Sequence, residues 1–89
     1  MSDDCSIMRP TSVARIKQWL DHGKAVGATH VVVKVDTFAL EAYPIYVMPD
    51  KSARAIAEHK GDEFTETIEV YNLALDLDRQ LEEDRAYNI

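Results

Sequence analysis

Cysteine, glycine and proline are scarce in this chain of 89 residues, which holds one cysteine, three glycines and three prolines. The single cysteine, Cys5, leaves no internal disulfide, whereas a small secreted domain normally needs several. No apolar run approaches the roughly 20 residues of a membrane-spanning helix. The first four residues include two aspartates and lack the basic and then apolar pattern of a signal peptide. These absences predict a protein of a reducing cytoplasm.

Clustered positive charge is also missing. Lysine and arginine number 10 against 16 aspartates and glutamates, for a formal net charge of −6. Proteins that bind double-stranded nucleic acid normally carry a basic patch, because phosphate contacts supply much of their affinity. We therefore expect no double-stranded nucleic acid partner. An acidic surface suits a basic protein partner, or it serves only to keep the chain in solution.

Sequence motifs for catalysis or metal binding are absent. The histidines, His22, His30 and His59, are too far apart in sequence for a helical metal site, and no CxxC is present. No GxSxG or glycine-rich phosphate loop occurs, and Cys5 lies outside the predicted fold. We expect no metal, no cofactor and no enzymatic activity. With 16 acidic residues, a pair of catalytic carboxylates stays an open alternative.

The length and composition predict one domain. Hydrophobic residues make up 46% of the chain and charged residues 29%, which is ordinary for a globular protein. We predict a flexible polar tail over residues 1–10, with Met8 as an alternative start, and a single domain over residues 11–89.

Hydrophobic periodicity in the first half predicts a helix and a hairpin. Apolar side chains at helical spacing indicate a helix from Ser12 to Val26, ended by Gly27, with Gly23 allowing close packing. A run of β-branched valines predicts a strand over Thr29–Thr37. Alternation predicts a second, antiparallel strand over Tyr43–Met48, with the chain turning between the two.

The second half holds one ambiguous segment. A short helix is predicted from Lys51 to about Lys60, capped by Asp50, and a last helix from Asp76 to about Arg85. Residues 64–75 fit either a helix or a strand, and the β-forming side chains favour a strand over Thr67–Leu73. The order α-β-β-α-β-α predicts an α+β fold, an antiparallel three-stranded sheet with helices packed on one face.

The two strands of the hairpin predict one candidate surface. If Val31 and Val33 face the helices, the other face carries His30 and Lys34, and the facing strand adds Tyr46. Such a mixed face is either half-solvated or buried against a second copy or another protein.

The connection between the strands is the second candidate. Phe38 and Tyr43 would stack on a nucleobase while Asp36 and Thr37 hydrogen-bond to it; alternatively, Phe38 and Leu40 close the end of the core. The predicted binding residues are therefore Asp36, Thr37, Phe38, Tyr43, Tyr46, His30 and Lys34.

Several short sequences carry a resemblance. The run Gly27-Ala28-Thr29-His30, the valines after it, Asp36-Thr37-Phe38 and Tyr43-Pro44-Ile45-Tyr46-Val47 resemble small phage and bacterial proteins to which no activity is attached. The resemblance implies a host-cell cytoplasm and, by analogy of size and origin, an inhibitor of a host defence system.

Together these observations predict a small acidic, non-enzymatic protein that acts by binding another protein and self-associates as a dimer or larger oligomer. The alternative is an oligomeric protein that sequesters a nucleotide signal.

Overall fold

The computed structural model describes residues 11–58, 65–83 and 86–89. The predictions on the tail, on Cys5 and Met8, and on the end of the second helix at about Lys60, lie outside these residues. The predicted end of the last helix at about Arg85 is wrong, because that helix ends at Leu81 with Glu82 as its C-cap. The elements are α1 (Val13–Ala25), β1 (His30–Asp36), β2 (Glu41–Val47), α2 (Ala53–Glu58), β3 (Thr65–Asn72) and α3 (Leu77–Leu81). The predicted element order and the α+β class are confirmed.

The three strands form one antiparallel sheet in the order β2-β1-β3, with β1 in the centre. The hairpin pairs His30 with Val47 at one end and Asp36 with Glu41 at the other. The ambiguous segment is the strand β3, as its β-forming side chains favoured. A register shift against β3 falls between Val33 and Lys34.

Both faces of the sheet are covered. Val31 and Val33 pack with Ile16 and Leu20 of α1, and α3 adds half-buried leucines to the same cluster. We call this side the α1 face. On the opposite side, the α2 face, Val32 packs in a second cluster, whose other buried members are Val47, Val70, Ala53 and Ala57.

The prediction that the helices share one face is therefore wrong for α2. The reason lies in β1, which is central and has Val31, Val32 and Val33 all fully buried. A continuous apolar run of this kind is typical of a strand covered on both sides, whereas strict alternation marks a half-exposed strand.

Close contact between α1 and the sheet depends on Gly23. A β-carbon at this position would lie 2.9 Å from Val31 Cγ2 and 3.1 Å from Leu73 Cδ1. The helix begins after Ser12, whose side chain accepts a hydrogen bond from the Arg15 N–H, and it is followed by Gly27 at a φ of +82°. The predictions for Gly23 and Gly27 are confirmed.

The caps of the two short helices differ in how well they were predicted. Asp76, the residue at which the last helix was predicted to start, caps α3 by accepting from the Arg79 N–H. For α2 the expected cap, Asp50, is wrong: Ser52 Oγ accepts from the Ala55 N–H at 3.2 Å. Asp50 instead lies 3.9 Å from the Lys51 ammonium at the surface.

Neither edge of the sheet presents an uninterrupted row of backbone donors. The outer edge of β2 contains Pro44, which has no N–H to offer. On the outer edge of β3, the Val70 N–H donates to the Ala86 carbonyl at 2.8 Å, and the Asn88 N–H donates to the Val70 carbonyl at 3.0 Å. Both features oppose the addition of another strand.

Candidate interaction site

A four-residue turn, Thr37–Leu40, connects β1 to β2 and is named here the hairpin tip. Asp36 holds it in shape: its Oδ1 accepts from the Phe38 N–H at 2.9 Å and from the Ala39 N–H at 3.2 Å. The Leu40 N–H donates to the Asp36 carbonyl at 2.6 Å. These bonds satisfy three backbone N–H groups of the turn, so the hairpin tip has a defined shape before it meets any partner.

Two large apolar side chains of the hairpin tip are exposed to solvent. Phe38 is 81% exposed and Leu40 is 76% exposed, the largest values among the exposed large hydrophobic residues that the structure describes. The alternative in which Phe38 and Leu40 close the end of the core is therefore wrong. The sheet ends at the Asp36–Glu41 pair, and these side chains lie beyond it.

Leu40 also has an unusual backbone. Its φ is +58°, and it is the only residue other than glycine with a positive φ in the described part of the chain. In a residue with a β-carbon this conformation costs about 1–2 kcal/mol, which glycine avoids. An exposed leucine thus occupies a position where glycine would fold more easily.

Carboxylates surround the base of the hairpin tip. Asp36 pairs across the sheet with Glu41 and with Thr65, and the next row pairs Val35 with Ala42 and Glu66. These two rows, named here the acidic rows, carry three carboxylates and no basic residue. Like charges directly opposite each other in a sheet are destabilising, so the Asp36–Glu41 pair weakens the end of the hairpin.

Tyr46 does not join His30 and Lys34 on a shared surface, contrary to expectation. It pairs with Val31 and packs on the α1 face, where its ring centroid lies 4.9 Å from that of His22 in an edge-to-face contact. Burial raises the pKa of Tyr46. Lys34 pairs with Tyr43 toward the α2 face and is buried, which lowers the pKa of Lys34.

His30 lies at the opposite end of β1 from the hairpin tip. Its Nδ1 is 2.9 Å from Thr29 Oγ1, and its Nε2 is 3.0 Å from the main-chain oxygen of Ile89. Asp36 lies six positions further along the strand, a distance of about 20 Å. The structure therefore brings together Asp36, Thr37 and Phe38, and it places the Lys34–Tyr43 pair two rows along the sheet from the Asp36–Glu41 pair. His30 and Tyr46 lie elsewhere.

Two open grooves lie away from the hairpin tip. One, of about 370 Å³, runs between α1 and α3 and is lined by leucines with lysines and aspartates. The other, of about 520 Å³, includes His30 and Asn72. Phe38 and Tyr43, the pair expected to stack on a base, line neither groove. Leu40 was not among the predicted binding residues, because a leucine in a loop normally turns inward.

Comparison with known proteins adds no relative. No family model matches the chain, and no curated protein or solved structure is significantly similar to it. The resemblance to phage and bacterial proteins stays a prediction. Within residues 11–58, 65–83 and 86–89, no group of three histidine, cysteine or acidic residues is arranged to hold a metal ion. No helix in that part of the chain has the length and apolar character to cross a membrane.

Proposed function

We propose that this chain is a small acidic binding protein, without catalytic activity of its own, that docks on another protein through the hairpin tip. One observation carries the proposal: Phe38 and Leu40 are largely exposed on a turn whose backbone is already hydrogen-bonded. Burying them in an apolar pocket would remove both from water, and each large apolar side chain gains about 1.5–3 kcal/mol on full burial.

The shape of the turn favours this use of Phe38. Aromatic side chains seated in a pocket are frequent hot spots of protein interfaces. A turn that is ordered before binding loses less conformational entropy when it docks. Asp36 provides that order through its two bonds to the N–H groups of the turn. Strand addition is the weaker mode of binding, because Pro44 interrupts one edge and residues 86–88 bond to the other.

A hairpin tip that fills a pocket of another protein suits an inhibitor, because occupying a pocket requires no reacting groups. The setting implied by the sequence resemblance, inhibition of a host defence complex, is consistent with that mode. It rests on the resemblance alone.

A matched pair of variants tests the proposal. Phe38→Ser with Leu40→Ser removes the apolar side chains, and Leu75→Ser removes one that is 53% exposed in the turn before α3. Tagged chains are produced in the cells that naturally encode the protein, and co-purified proteins are quantified. We expect one stoichiometric partner with the parent and with Leu75→Ser. The double variant should bind that partner with an affinity about 30-fold lower, since the loss of a hot-spot side chain costs about 2 kcal/mol or more.

Two results would contradict the proposal. One is recovery of the same partner in the same amount by the double variant. The other is the absence of any stoichiometric partner with the parent. Circular dichroism on the double variant serves as the folding control, since side chains this exposed contribute little to stability.

A further inference from the structure

We infer that the pocket receiving the hairpin tip is rimmed by basic side chains, arginine above all; this inference rests on the proposed function. It joins two features of the same turn, the exposed apolar pair Phe38 and Leu40 and the acidic rows at their base. An apolar centre with charged residues around it is the usual anatomy of an interface. The negative charges of the acidic rows indicate that the partner surface is positively charged.

The pairing of Asp36 with Glu41 supports a cation between them. The described hydrogen bonds of Asp36 to the turn use Oδ1 and the main-chain carbonyl. Glu41 is exposed and directly opposite. A guanidinium presents several N–H donors in one plane and is suited to bind carboxylate oxygens. Its arrival would replace a repulsion within the hairpin by two attractions across the interface.

Other occupants fit less well. A second copy meeting the first tip to tip would bring two sets of acidic rows together, in a chain whose net charge is already −6. An anionic membrane would repel the same carboxylates. A basic protein surface instead gains from long-range attraction, which raises the rate of association at low salt.

The probes for the test are three capped peptides of equal length, Leu-Arg-Trp-Arg, Leu-Ser-Trp-Ser and Leu-Glu-Trp-Glu. Each is titrated into the isotopically labelled chain, and the amide resonances of Phe38 and Ala39 are followed by NMR. We expect the basic peptide to bind at the hairpin tip at least about tenfold more tightly than the neutral one, which corresponds to about 1.4 kcal/mol. The acidic peptide should bind most weakly.

Variants assign the preference to the acidic rows. Glu41→Gln with Glu66→Gln should reduce the preference for the basic peptide to about threefold or less and weaken its salt dependence. Asp78→Asn, an exposed acid on α3, is the matched control and should leave the preference unchanged.

The outcomes separate this inference from the proposed function. Equal binding of all three peptides at the hairpin tip overturns the basic rim while leaving the apolar docking site intact. Tighter binding of the acidic peptide also overturns the basic rim. So does a basic peptide that shifts resonances outside residues 36–41, or that shifts no resonance at millimolar concentration. The co-purification experiment decides the proposed function independently.

Discussion

At the scale of single residues, Leu40 is the clearest departure from what folding alone would select. It combines a left-handed backbone with an apolar side chain in water. Local choices that oppose folding are found most often at functional positions, where another requirement maintains them. The neighbouring Asp36–Glu41 pair is a second such choice in the same turn.

Replacing Leu40 by glycine should stabilise the isolated chain by about 0.5–1 kcal/mol. Relief of the left-handed conformation gains about 1–2 kcal/mol, and the greater freedom of glycine in the unfolded state returns part of it. Denaturant unfolding measures the difference. Leu40→Ala retains the strain and should stay within about 0.5 kcal/mol of the parent. A glycine variant less stable than the parent would show that Leu40 makes a stabilising contact.

Tyr46 should make the chain less stable in alkali. Because burial raises its pKa, the unfolded chain loses the phenol proton at a lower pH than the folded chain does. This contribution is fully present below the ordinary phenol pKa of about 10 and is lost as the pH rises through the higher folded pKa. Tyr46→Phe should therefore lose less stability than the parent above this value.

The parent and Tyr46→Phe are compared in urea between neutral pH and the alkaline range. Lys34 titrates there in both chains with the opposite sign, since its pKa is lowered by burial, so its effect cancels in the comparison. Parallel stability curves for the two chains would contradict the burial of the Tyr46 hydroxyl.

The sequence predicted the positions of residues that act on their near neighbours in the chain. Asp76 and Gly27 act through bonds or dihedral angles within a few residues, so their neighbours in sequence define their task. Asp50 and Ser52 are both good caps, and only the path of the chain after β2 decides between them. The exposure of Phe38 depends on how far the hairpin extends past the core, which no local pattern reports.

At the scale of elements, α2 offers a direct test of its cap. Ser52→Ala removes the bond to the Ala55 N–H and should cost about 1 kcal/mol. Asp50→Ala should change stability by less than about 0.5 kcal/mol, since this side chain is exposed and its partner among the described residues is Lys51 at the surface. Thermal unfolding of both variants measures the contrast. The reverse ranking would return the cap to Asp50.

The central strand gives a second prediction at this scale. Because Val32 and Val33 are both fully buried and face opposite helices, Val32→Asp and Val33→Asp should each unfold the chain by placing an unpaired charge in a cluster. Circular dichroism at room temperature is the measurement. A folded Val32→Asp variant would mean that α2 does not cover that face.

The hairpin shows why the facing of Tyr46 was not predictable. The sequence predicted a second strand beginning at Tyr43, whereas β2 begins at Glu41 and the turn holds four residues. The length of a turn fixes which residues pair, and pairing fixes which side chains share a face. Tyr46 pairs with Val31 and therefore faces α1. The strands themselves were predictable because alternation and β-branching persist over several residues.

At the scale of the whole molecule, helices cover both faces of the sheet, and both of its edges are interrupted. The α1 face carries α1 and α3, and the α2 face carries α2. Along one edge Pro44 interrupts the row of N–H donors of β2, and along the other residues 86–88 bond to β3. The hairpin tip extends past these layers with its apolar residues in water. The element order and class followed from sequence periodicity, whereas this arrangement required the tertiary packing.

Photo-crosslinking at position 38 tests the docking claim most directly. Benzoylphenylalanine replaces Phe38 in one chain and Tyr87, which is 51% exposed on the C-terminal segment, in another. Both chains are irradiated in the cells that encode the protein, and adducts are identified by mass. We predict a covalent adduct with a single protein from position 38 and none of it from position 87. No adduct from position 38, or the same adduct from both positions, would contradict docking through the hairpin tip.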